Sequence, residues 1–279
     1  MQGTVLECGR FPYITEGIIL KQETKNIITF ILLAYIFIWA VFCVKKLLGG
    51  EADFLFGVMS AIGPAIAAFI VASKTIGAKA FLKYSFTFEQ NVSYYIVFLL
   101  FAVWRFFLCM FVGERVPGSS LLLPILLIPI CIFTGGMEEF GWRGYLQPQL
   151  EKRMHSVHAT LIIVFVWAFW HIPLWFVPGA TGKTSLIDFF IFLGFTLTNS
   201  FSLAAIYKIT NSVLLCVLFH AWSNAITNTF MPTGDIKTIA GFAFEGVVSI
   251  VILVLCEKGV IKSAKVRLRS CTPRFGSGS

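Results

Sequence analysis

The chain has 279 residues, of which 57% are hydrophobic and 13% charged, and its mean hydropathy is +0.84, which excludes an ordinary soluble domain and describes a polytopic membrane protein. Thirty Phe residues suit lipid-facing packing. In such a chain a net charge of +8 reflects topology and anionic lipid, so the lipid bilayer is the expected partner and nucleic acid is not.

Residues 1–26 lack the ordered basic, apolar and small-residue regions of a cleavable signal peptide, and read as an N-terminal cytoplasmic segment. A transmembrane helix needs about 20 mainly apolar residues. On that ruler eight segments follow, at about 27–44, 54–73, 92–112, 121–143, 158–177, 186–207, 211–230 and 239–256. Lys45, Lys46 and Asp53, then Lys74, Lys79 and Lys83, mark the first breaks, and Pro148, Glu151, Lys152 and Arg153 mark a polar interfacial stretch after the fourth segment. The expected fold is all-α: a bundle of about eight transmembrane helices around a central catalytic cavity. Its membrane domain covers 27–257 with a catalytic core at 121–230, and a basic cytoplasmic tail at 258–279 ends in a Gly-Ser-Gly-Ser cloning scar. Sixteen of the 22 basic residues fall on the side of the termini, which predicts that both termini are cytoplasmic. Seven scattered cysteines without CxxC spacing read as small buried hydrophobes.

Six polar residues stand in or beside these apolar helices: Glu138, Glu139, Arg143, His171, His220 and Asn224. An ionisable group at the bilayer centre costs roughly 2.5–3.5 kcal/mol on insertion scales, so such groups usually face the bundle interior and carry function. Glu139 and Arg143, four apart, share a helix face and are expected to neutralise each other, although a salt-bridge patch at a helix end explains that pair equally well. Glu138 is turned about 100° away and stays available as a general base. His220 and Asn224 repeat the one-turn spacing, so both can donate to one oxygen, while His171 stands nearly alone among apolar neighbours. His155 and His158, beside Lys152 and Arg153, read as solvated surface residues.

Glu138 to Arg143 match an EExxxR motif, Trp167 to His171 occupy the place of FxxxH, and His220 to Asn224 match HxxxN. Together they resemble the CAAX-processing and bacteriocin-processing (CPBP) family of intramembrane proteases, which includes the type II CAAX prenyl endopeptidases. The resemblance covers about 121–230, with Trp167 standing where the family pattern usually has Phe, a change expected to keep packing and alter pocket shape. It implies a prokaryotic cell-membrane endopeptidase that cuts a peptide or protein substrate arriving from the membrane. Glu138, aided by His171, would activate water, and His220 with Asn224 would hold the oxyanion. Zinc on Glu138, His171 and His220 and a metal-free glutamate mechanism are both open, since two histidines and a carboxylate resemble a catalytic zinc set but no HExxH occurs. The competing readings are a proton-coupled transporter built on the same polar cluster and a non-catalytic scaffold or immunity protein. Transporters commonly carry internal repeats, and none is evident here.

Overall fold

The computed structural model describes residues 12–48, 53–88, 91–176 and 185–263. The distal part of the basic tail, with its Gly-Ser-Gly-Ser end, lies outside the described residues, as do Cys8 and Cys271. Helix α1 runs from Pro12–Leu48, so it starts well before the expected position 27 and includes much of the expected N-terminal cytoplasmic segment. It is followed by α2 (Asp53–Thr75), a short α3 (Ala78–Ser85) and α4 (Val92–Val112). The two-residue strands β1 (Glu114–Arg115) and β2 (Phe230–Met231) pair antiparallel, with Glu114 opposite Met231.

The fourth apolar segment is not one continuous helix. α5 (Leu123–Thr134) ends at Gly135, a 3₁₀ turn covers Gly136–Glu138, and α6 (Glu139–Gly141), a π turn at Trp142–Leu146 and α7 (Gln147–Glu151) complete a span bent by 44°. Short 3₁₀ and π stretches inside helices often mark functional sites, because they re-aim side chains that an unbroken helix would hold at fixed angles. Gly141 permits the close approach of α2: a Cβ there would lie 2.6 Å from the Pro64 side chain and 2.7 Å from the Pro64 carbonyl oxygen, so the broken segment and α2 touch backbone to backbone.

α8 (Ser156–Trp170) stops short of the expected 177, and after a turn at His171 and Ile172 a one-turn α9 (Pro173–Phe176) begins. Pro173 supplies no N–H and disfavours helical backbone in the residue before it, which accounts for the break. α10 (Leu186–Thr210) opens with a capping box between Ser185 and Asp188 and closes on Asn211 in the left-handed region, φ 49°. Ser212 then caps α11 (Val213–Thr227), and Asp235 caps α12 (Ile236–Glu257). The hydrogen bond that the Asp235 carboxylate accepts from the Thr238 N–H holds its carboxyl below the usual carboxylate range.

Among the described residues, five helices are long and apolar enough to cross a membrane, and the bent pair makes a sixth, so the polytopic all-α fold stands. α8 and α11, 15 residues each, rise about 22 Å, short of about 30 Å of hydrocarbon. α11 can be short because protein surrounds it: it packs against α4, α5 and α10, and Cys216, Phe219, Ala221, Ala225 and Ile226 are fully buried.

Basic side chains gather at one end of the bundle. Lys152 and Arg153 both pair with Glu23 at 3.2 Å, Lys208 pairs with Glu151 at 2.9 Å, and the Tyr84 and Tyr207 hydroxyls join α3 to the same end. Two residues counted toward orientation belong to neither side. Arg105, expected near the opposite surface, and Arg143, expected at the interface, are both buried within the bundle, because each has found an acid there.

Candidate active site

Glu138, His171, His220 and Asn224 line one cavity of about 330 Å³, which they share with Trp167, Phe192, Phe195 and Asn199 among others. Met231, Pro232 and Thr227 also line it, so it lies in the half of the bundle away from the paired lysines and arginines.

Glu138 sits at the last residue of the 3₁₀ turn and is 4% exposed. Its Oε2 accepts two indole N–H groups, from Trp167 at 2.6 Å and from Trp142 at 3.2 Å. Both donors converge on one oxygen, which leaves Oε1 as the atom free to receive a proton. Trp142 reaches it as an i+4 neighbour across the start of the π turn, and Trp167 reaches it from α8. A buried indole N–H generally finds a partner. The expectation for Trp167 concerns packing and pocket shape, and the structure adds a polar role: its N–H donates directly to Glu138, and its ring also touches His171, His220 and the Arg143 guanidinium, the last at 5.5 Å.

Glu139 and Arg143 are fully buried and do not line the cavity. They pair at 3.0 Å as expected, but they do more than neutralise each other. Glu139 Oε1 lies 2.8 Å from His220 Nδ1, and Arg143 donates to the Ser200 carbonyl at 3.0 Å, so the pair anchors His220 and α10 to the broken helix. The ionised carboxylate only accepts, so His220 Nδ1 carries hydrogen and its Nε2 is left toward the cavity. His171 Nδ1 lies 2.9 Å from the Trp167 carbonyl oxygen, which likewise fixes a hydrogen on Nδ1 and leaves Nε2 with a lone pair in the neutral ring.

Gly135 explains how His220 and Asn224 are used together. A Cβ built on it would lie 2.2 Å from Asn224 Nδ2 and 3.3 Å from His220 Nε2. Both nitrogens therefore face one small volume that only a glycine leaves open.

Among the described residues no three His, Cys, Asp or Glu side chains are placed to hold a metal ion. The expected zinc set of Glu138, His171 and His220 shares a cavity wall without forming a ligand cluster, and two indoles already occupy Glu138 Oε2. The residues present do not fit a zinc site.

A second polar cluster, outside the six residues singled out above, lies between α4 and α12. Arg105 on α4 donates to Glu245 on α12, with Nε at 3.1 and 2.9 Å from the two carboxylate oxygens and Nη2 at 2.5 Å, and both residues are buried. Arg105 Nη1 reaches Ser223 Oγ at 3.1 Å and Asn199 Oδ1 at 3.3 Å. The signal was present, since Arg105 and Glu245 are charged residues in the interior of apolar stretches, which is the criterion that selected Glu138.

Residues 119–226 match the family described as Type II CAAX prenyl endopeptidase Rce1-like. A CAAX prenyl protease 2 of Methanococcus maripaludis is 28% identical over 127 residues, which cover 43% of this chain. The match spans 46% of that relative, so the likeness reaches a little under half of its length. The matched stretch holds Glu138, His171, His220 and Asn224 together with the broken helix that aims Glu138. Through this stretch the chain is similar to the type II CAAX prenyl endopeptidases.

Proposed function

We propose that this protein is an intramembrane endopeptidase that hydrolyses a peptide bond with water activated by Glu138. The observation that carries the reading is that Glu138, His171, His220 and Asn224, from three helical segments, line a single cavity. Glu138 Oε1 takes a proton from water as the oxygen attacks the scissile carbonyl carbon, and His171 Nε2 accepts a hydrogen bond that orients the same water. The oxygen of that carbonyl becomes an oxyanion, stabilised by Asn224 Nδ2–H and by His220 Nε2–H. With Nδ1–H already given to Glu139, an Nε2–H requires the doubly protonated ring, and the Glu138 and Glu139 carboxylates together balance that ring and Arg143. As the C–N bond breaks, Glu138 returns its proton to the leaving amine. Arg143 and Glu139 act through His220 as positioning residues.

The substrate is a peptide or protein segment that reaches the cavity from the membrane, in a prokaryotic cell membrane with both termini cytoplasmic. The catalytic core corresponds to residues 121–230. With the lysine- and arginine-rich end inside, the cavity lies in the half of the bundle toward the opposite face.

The test compares peptides that accumulate in cells carrying the wild-type chain and Glu138→Gln, alongside turnover of the purified proteins. The expected result is an uncleaved precursor only with the variant, together with a loss of turnover of about a hundredfold or more. Unchanged peptides and unchanged biological output would point to a scaffold, and loss of ion or solute flux to a transporter.

A further inference from the structure

The polar arm of the cavity formed by Asn199 and Thr196 has no place in the chemistry above. On α10, Phe192, Phe195, Thr196 and Asn199 follow helical spacing and all four line the cavity, so α10 presents one stripe to it. Asn199 is held in one orientation. An arginine side chain has no acceptor, so the carboxamide atom 3.3 Å from Arg105 Nη1 is the oxygen, and the NH₂ group is turned away from it. Among the described residues Asn199 Nδ2 has no hydrogen-bond partner, and neither does the Thr196 hydroxyl one turn earlier. Both are polar groups in an otherwise apolar stripe, where an unmade hydrogen bond is costly unless a ligand or water supplies it.

Charge decides what they take. Arg105 also lines the cavity, but Glu245 engages Nε and Nη2 while Asn199 and Ser223 engage Nη1, and Ser202 adds a hydrogen bond to Glu245 at 2.7 Å. Glu245 neutralises the guanidinium, and four of its five N–H groups are engaged by Glu245, Asn199 and Ser223, so this arm has no net positive charge for a carboxylate. Phe195 and Phe242, packed edge to face at 4.7 Å, wall it with apolar surface.

We propose that Asn199 and Thr196 form a substrate-docking subsite that hydrogen-bonds the uncharged backbone amides of an extended apolar peptide, with the Arg105–Glu245 pair orienting Asn199. The subsite does not read a free C-terminal carboxylate. This rests on the protease reading for its purpose, although binding can be measured apart from cleavage.

The full chain carrying Glu138→Gln is placed in lipid nanodiscs and titrated with a pool of fluorescently labelled apolar nonapeptides. Each peptide is made as a C-terminal acid and as an amide, and binding is followed by anisotropy. The expected result is saturable binding, with acids and amides equal within about twofold and a loss of about three- to tenfold for Thr196→Val or Asn199→Ala. Thr196→Val keeps the side-chain shape and leaves Arg105 untouched, so it reports on the subsite even if Asn199→Ala disturbs folding. No saturable binding, unchanged affinity in Thr196→Val, or acids favoured tenfold or more would overturn the proposal. If the peptides bind with the expected dependence but the wild-type chain never cleaves them, the protease reading fails and the subsite stands. If they are cleaved and Thr196→Val changes nothing, the subsite fails alone.

Discussion

The indole N–H of Trp167 donates to Oε2 of Glu138 at 2.6 Å, and this bond joins the middle of α8 to the break in the fourth apolar segment. It makes Trp167 a positioning residue for the carboxylate proposed as general base. Trp167→Phe keeps most of the packing and deletes the donor. A hydrogen bond to a charged group contributes about 1.5–3 kcal/mol, so kcat should fall about ten- to a hundredfold. KM should stay within about twofold, because the bond orients Glu138 and does not touch substrate. Trp142→Phe removes the longer bond, 3.2 Å, and should cost less. Steady-state kinetics on both variants checks this, and a rise in KM with kcat unchanged would assign Trp167 to substrate binding.

Gly135 should tolerate no side chain. Gly135→Ala places a methyl 2.2 Å from the Asn224 amide nitrogen, which drives the carboxamide out of position. Removing one oxyanion donor typically costs about 10²–10³ in kcat, and that loss is expected here. Gly144→Ala is the control in the same broken segment, since its nearest neighbour would be an ordinary 3.6 Å away.

Glu138 and Glu139 are adjacent in sequence and should behave oppositely in a thermal unfolding measurement. Glu139→Ala leaves Arg143 buried without its acid, which should destabilise the fold by about 3–5 kcal/mol. Glu138→Gln should unfold within a few degrees of the wild type while turnover is lost. Equal destabilisation would mean that Glu138 is structural.

The Arg105–Glu245 pair gives a second stability test. Arg105→Met alone strands a buried carboxylate and should cost about 3–5 kcal/mol, whereas the double change Arg105→Met with Glu245→Met should recover most of it. If the double variant folds and cleaves as well as wild type, the pair has no part in orienting Asn199.

Membrane orientation can be read by labelling. A membrane-impermeant maleimide applied to intact cells should modify Lys237→Cys and spare Lys152→Cys, since the two exposed positions lie at opposite ends of the bundle. The reverse pattern would place the lysine- and arginine-rich end outside and turn the cavity toward the cytoplasm.

The site was partly legible because charge in an apolar helix is conspicuous. Glu138, His171, His220 and Asn224 stood out from composition and spacing, and the structure brings these four to one cavity wall. Glu139 and Arg143 stood out for the same reason, yet they lie behind the wall, because i+4 spacing fixes a shared helix face without saying what that face meets. Trp167 shows in the sequence only as a packing residue, since an indole among many aromatic residues carries no charge to mark it. Arg105 and Glu245 are 140 residues apart, so no local spacing could reveal the pair.

Composition and hydropathy fixed the solvent this protein folds in, the approximate number of apolar segments and the residues too polar to be there by chance. Those properties depend on each residue's own transfer free energy, which a string of letters carries in full. Where the fourth segment breaks, which oxygen of Glu138 is held, that Asn224 and His220 converge on the space above Gly135, and that Asn199 Nδ2 has no partner among the described residues were decided by packing. Hydrogen bonds reach about 3 Å and fall off steeply with angle, so partners from distant helices exist only once the bundle has closed.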